Sequence, residues 1–199
     1  MNKNLLLAIT LVATLALGYL AFFWDGKTPT LSSSKVSNGT DINNPLYVKF
    51  QRLSTKGNSS CSGAFTDSIS SMKDGDRLQG SCCSVMSWHR YQEQVEGLKK
   101  YSKINEIPSD PYDIDAELAK KMKSRYEDSL TPEQQKEYDY AMANSNEKGP
   151  CCCKCWRWYV YGGLAKFLIA EKGFTGEQLT EVWNLSDGCG GEGDHVQHG

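Results

Sequence analysis

The sequence predicts an all-α protein: an N-terminal transmembrane helix followed by a small cysteine-rich domain of about five helices. Three observations carry that prediction. Leu5–Trp24 runs for 20 residues without a charged side chain, and as a helix it would reach about 30 Å, the thickness of a bilayer core. Trp156–Lys172 has helical length and is apolar on nearly every side, interrupted only by Arg157, Lys166, Glu171 and Lys172; a helix of that kind is normally buried by its neighbours. Between these segments, capping residues and proline or glycine stops divide the chain at helical intervals, while no long alternating run marks a strand and no long-period repeat marks a solenoid.

Residues 1–24 are the expected membrane anchor. An uncleaved anchor is favoured over a cleaved signal peptide, whose apolar core is only ~7 to 15 residues. Lys3 and the amino terminus precede the span and Asp25 follows it, so the positive-inside rule places the rest of the chain on the extracytoplasmic side. Residues 25–45 are rich in Ser, Thr, Asn, Gly and Pro and read as a flexible tether. Residues 46–199 are then the cysteine-rich domain.

Taken in order, Leu46–Leu53 reads as a short strand or a docking segment, and Ser62–Met72 as a short helix. Asp74–Gly80 breaks the chain ahead of a helix expected from Cys82 to about Tyr101, where Val85, Trp88, Tyr91, Val95 and Leu98 recur on one face. Pro108 and Pro111 end it. Asp113 or Asp115 caps the next helix, whose stripe is Leu118, Met122 and Tyr126. Thr131, Pro132 and Gln134 open another with a capping box and proline at the first helical position, running to about Asn146. Gly149 and Pro150 stop it, and the central helix follows. Gly162 and Gly163 each cost that helix roughly 1 kcal/mol relative to Ala, a cost that points to close approach by another helix. Gly173 ends it, and Thr175 with Gln178 opens a last helix through Trp183.

The chemistry lies in the eight cysteines. Cys61 and Cys189 stand apart, while Cys82 with Cys83, and Cys151, Cys152, Cys153 and Cys155, form two dense clusters. An extracytoplasmic domain with this many cysteines is first read as disulfide-stapled. Density argues for a site instead, because thiols packed so closely along the chain bridge one another only with strain, whereas they can converge on a soft metal ion. If Cys82 starts a helix, Met86 and His89 fall within about 40° of it at ~100° per residue, opposite the apolar stripe. The expected ligand set is therefore Cys82, Cys83, Met86, His89, Cys151, Cys152, Cys153 and Cys155. The offsets of Cys82-Cys83-x-x-Met86 repeat those of Cys151-Cys152-x-x-Cys155, so two such helix starts facing one another would surround a point with sulfur. Sulfur with methionine in reach favours Cu(I), and thiolates alone suit Zn²⁺.

Composition removes other classes. A formal net charge of −2 with no Lys/Arg-rich run offers nothing to nucleic acid. Asp110, Asp113, Asp115 and Glu117 lack the glycine and terminal Glu of a calcium loop. Cys153-Lys154-Cys155 would favour a thiolate, but a thioredoxin-like redox site expects C-x-x-C near a βαβ pattern, which is missing. The functional expectation is a membrane-anchored, non-enzymatic domain that binds Cu(I) or Zn and docks on a membrane neighbour. The alternatives are a disulfide-stapled interaction module and, third, a thiol redox protein.

Overall fold

The computed structural model describes residues 43–190. The expected anchor, residues 1–24, and nearly all of the tether lie outside them. The described residues are mostly helical, with seven α-helices, three short 3₁₀ turns and two three-residue strands. No helix among them is long and apolar enough to cross a membrane.

Helix α1, Pro45–Lys56, begins with Asn44 accepting the Leu46 N–H and Pro45 in the first turn, a start that suits the missing proline N–H. This corrects the strand or docking reading of Leu46–Leu53. Its apolar residues Leu46, Phe50 and Leu53 pack on a small cluster with Met86, Tyr91 and Tyr112. The same letters fit either period over so short a run, and the cap decides. Helix α2, Gly63–Ser68, is capped by the Ser62 hydroxyl on the Phe65 N–H and continues as a 3₁₀ turn through Ser71.

Strand β1, Arg77–Gln79, pairs antiparallel with β2, Asp113–Asp115, placing Leu78 opposite Ile114, both buried. Three residues are too few for a period-two signal, so sequence reading found neither strand. Asp113, expected as a helix-start charge, instead ties the two-stranded sheet to α1. Its carboxylate accepts from Arg77 Nε and Gln79 Nε2, each at 2.9 Å, and lies 3.0 Å from Lys49 Nζ. Burial pushes this carboxyl up, but the hydrogen bonds from Gln79, Lys49 and Arg77 outweigh it and hold it at about 2. A lowered carboxyl stabilises the fold above its unfolded value and loses that contribution as pH falls through the folded value. Asp113→Asn is therefore expected to flatten the loss of stability between about pH 4 and pH 2, an effect of roughly 2 kcal/mol. Parallel urea titrations at pH 6 and pH 2.5 check it, and equal losses in parent and variant would refute it.

Helix α3 is Trp88–Leu98, capped by Ser87 on the Arg90 N–H. The expected start at Cys82 is therefore corrected: residues 82–87 are an irregular loop. The apolar periodicity of α3 was read correctly, but Val85 was counted into it and is 84% exposed. Asp115 caps α4, Ala116–Ser124, through the Glu117 and Leu118 N–H groups. Thr131 and Gln134 complete the capping box of α5, Pro132–Asn144, with Pro132 in its first turn.

Helix α6, Trp156–Lys172, is the centre of the main core, and Gly173 ends it in the left-handed region at φ 67°. Trp156, Val160, Tyr161, Leu164 and Leu168 are nearly inaccessible. The two glycines serve the expected close approach: Gly162 faces the Tyr126 ring, and Gly163 faces the Met122 carbonyl of α4. Helix α7, Gly176–Ser186, starts with the Thr175–Gln178 capping box and buries Leu179, Val182 and Trp183 against the same core.

Candidate metal centre

Four irregular segments bring the cysteines together, the fourth being residues 187–190 beyond α7, which carry Cys189. The first is the loop after α1, where Ser59 Oγ accepts from Trp156 Nε1 at 3.0 Å and so fixes Cys61 near the start of α6. The second is the loop before α3. Its Cys82 N–H reaches the Gly188 carbonyl at 3.3 Å, and the Ser84 N–H reaches the Cys189 carbonyl at 2.8 Å, zipping it to the chain beyond α7. The third is residues 151–155, with Cys155 as the N-cap residue of α6.

All eight sulfurs therefore join one basket. Five overlapping triads, each with its three sulfurs within 4.8 Å of one another, account for them: Cys61/Cys153/Cys155, Cys61/Cys82/Cys83, Cys82/Cys151/Cys189, Cys83/Cys152/Cys189 and Cys151/Cys152/Cys153. The shortest separations are 2.7 Å for Cys61 and Cys83 and 2.9 Å for Cys152 and Cys189. Others fall at 3.5 to 3.7 Å, among them Cys151 with Cys189 and Cys83 with Cys152. No described pair lies at the ~2.05 Å of a disulfide bond, and all eight thiols are free. Cys151, Cys155 and Cys189 form the buried floor, while Cys83 and Cys152 open to solvent.

The six cysteines of the expected set lie together in this basket, and Cys61 and Cys189 join them. Cys61 and Cys189 stood alone in the sequence and carried no local signal; only the packing of two loops on the start of α6 delivers them. Met86 and His89 are not brought to the sulfurs. With residues 82–87 irregular, the helical offset that aligned them with Cys82 does not exist. Met86 lies instead among Leu53, Tyr91 and Tyr112, with the Ser54 hydroxyl 3.7 Å from its sulfur. The His89 side chain is 81% exposed and lies 3.0 Å from Glu93.

Crowded thiols cannot ionise independently. The Cys82 thiol is pushed strongly down by hydrogen bonds from the thiols of Cys151, Cys155 and Cys189, against burial and with help from the Arg157 charge. Hydrogen bonds from Cys151 and Cys189 likewise lower Cys152 to about 2. The donors move the other way. Cys151 rises because it donates to Cys152, Cys155 and its neighbours, and burial followed by the Cys61 contact raises Cys83. Cys155, despite the bond it receives from Cys151, is pushed up to about 12 by donation to Cys82, by burial and by the Cys82 charge. Sulfurs this close favour a shared proton over full ionisation, and a cation held among them would take the place of such protons.

In the sequence Arg157 is only an interruption of an apolar helix. Arg157 is 1% exposed, and it donates to the Pro111 carbonyl at 2.6 Å and the Gly80 carbonyl at 3.1 Å, while its Nε has no partner. Its guanidinium stacks on Trp156 at 4.5 Å from the ring centroid. A Cβ on Gly188 would lie 2.0 Å from its Cζ, so glycine there makes room for it. The charges that favour its cationic form, against burial, are led by Cys82 and include Cys151. The available signal was a lone charge in the first turn of a helix with no polar face. Comparison with known proteins finds no match among protein-family models, curated proteins or solved structures.

Proposed function

We propose that this protein binds a soft metal ion, Cu(I) in preference to Zn²⁺, in the cysteine basket, as a domain tethered to a membrane by Leu5–Trp24 and facing away from the cytoplasm. The observation that carries the metal reading is Arg157. A fully buried cation is stable when an anion faces it, and Cys82 leads the groups that favour this one, ahead of Tyr161, Cys151 and Tyr112. Disulfide sulfurs are neutral and would add no charge opposite Arg157, whereas metal-bound thiolates would. Thiolate is a preferred donor for Cu(I). Structural Zn²⁺ takes four ligands in a tetrahedron, whereas the sulfurs converge here in triads, which suits the lower coordination that Cu(I) accepts. The membrane reading rests on the sequence alone.

A second reading is supported by the two shortest sulfur separations. Cys61 with Cys83 and Cys152 with Cys189 are the pairs an oxidant would join first, giving a disulfide-stapled interaction module. A Cu(I) titration against a competing chelator, on the as-isolated and the reduced chain, separates the two. The metal reading predicts free thiols or copper in the as-isolated protein, tight Cu(I) uptake, and a loss of tenfold or more for Cys152→Ser and for Cys155→Ser. Met86→Leu conserves volume and should leave Cu(I) affinity unchanged. Four disulfides in the as-isolated chain with no Cu(I) uptake would overturn the metal reading. A tag on Gly199 that is reached only from the cytoplasmic face would overturn the topology.

A further inference from the structure

We infer that the basket is built for a polynuclear Cu(I)–thiolate cluster of at least two ions per chain, an inference that rests on the copper reading above. The triads Cys61/Cys153/Cys155 and Cys83/Cys152/Cys189 have no sulfur in common. Two three-coordinate ions can therefore be held at once with every ligand used once.

The remaining sulfurs connect these two ends. Cys82 and Cys151 form a triad with Cys189, Cys82 also joins Cys61 and Cys83, and Cys151 also joins Cys152 and Cys153. Every sulfur except Cys155 thus belongs to two triads. A thiolate has lone pairs enough to bridge two cations, and sulfurs shared between adjacent ligand groups are the arrangement bridging requires. The contacts at 3.6 Å between Cys82 and Cys83, 3.7 Å between Cys83 and Cys152, 2.9 Å between Cys152 and Cys189 and 3.5 Å between Cys189 and Cys151 run without a break across the basket.

Charge leads to the same conclusion. Each thiol that ionises adds one negative charge, and among the described residues Arg157 is the one buried cation. One Cu(I) held by three thiolates is already a dianion, so ionising the rest of the basket requires further Cu(I), each ion cancelling one negative charge. In each binding step Cu(I) replaces thiol protons, which leave to solvent, and no electron is transferred. The exposed sulfurs of Cys83 and Cys152 provide the entrance, and the floor of Cys151, Cys155 and Cys189 keeps the cluster from water.

The test loads the full chain, solubilised in detergent and reduced with a phosphine under anaerobic conditions, with Cu(I) supplied as its acetonitrile complex. Native mass spectrometry counts the ions, and emission reports solvent-shielded copper–thiolate clusters. The expected result is two or more Cu(I) per chain at saturation, with the emission appearing as the second ion enters. Cys153→Ser removes two of the five triads and should lower the highest loading by one ion while copper is still bound. Saturation at one ion overturns the polynuclear site and leaves the metal reading standing, whereas no uptake at any ratio overturns both. An unchanged highest loading in Cys153→Ser overturns the triad assignment.

Discussion

Replacing Gly163 by alanine is expected to cost the domain more than ~3 kcal/mol out of a total of about 5 to 15, enough to unfold it at moderate temperature. A Cβ at this position would lie 1.8 Å from the Met122 carbonyl oxygen, 2.9 Å from its carbon and 3.0 Å from the Tyr126 amide nitrogen. These are backbone atoms, which no rotamer change can move aside. Helix α4 would have to lift off α6, taking Ala119 and Met122 out of the main core. Gly63→Ala is the control, since a Cβ there meets nothing within 4 Å and alanine improves helix propensity by up to ~1 kcal/mol. Urea melts of the two variants against the parent give the comparison. A Gly163→Ala protein as stable as the parent would show that α4 and α6 are not in backbone contact.

Replacing Arg157 by methionine is expected to weaken Cu(I) binding by about 100-fold, while Arg157→Lys should recover most of the loss. A unit charge a few ångströms from a thiolate is worth roughly 3 kcal/mol at an effective dielectric constant near 20, which sets that scale. Methionine also leaves the Pro111 and Gly80 carbonyls without their donor, at about 1 to 3 kcal/mol each, so the metal-free variant should melt lower as well. The lysine comparison separates charge from packing, because lysine restores the cation without the guanidinium fork. Parent-like Cu(I) affinity in the methionine variant would reduce Arg157 to a purely structural group and remove the main support for anionic sulfur in the basket.

The helical class was legible because its signals are local. The Thr131–Gln134 and Thr175–Gln178 capping boxes, the Asp115 cap and the left-handed Gly173 each act within a few residues, and each stands where the sequence places it. The apolar run of α6 also determined its own burial, since no face of it can meet water cheaply. The sequence misleads where an apolar period continues past a cap. Helix α3 begins at Trp88 because the Ser87 hydroxyl caps the Arg90 N–H, and without a helix from Cys82 the alignment of Met86 and His89 with Cys82 has no basis. The pairing of β1 with β2 was invisible because a three-residue strand depends on its partner, more than thirty residues away in the chain.

The sequence by itself determined that the domain is helical, that Trp156–Lys172 is its centre and that sulfur is concentrated at the entry to that helix. Tertiary structure alone decided which sulfurs meet and what charge faces them. Cys61 and Cys189 reach the basket through the Trp156–Ser59 hydrogen bond and the pairing of residues 82–84 with residues 188–189, and Arg157 comes under it through the space left at Gly188. Caps and helical periods are set by neighbours a turn apart, so they are written along the chain. A ligand set and its counter-charge are set by distances between atoms that are remote in sequence, and those distances exist only once the core has packed.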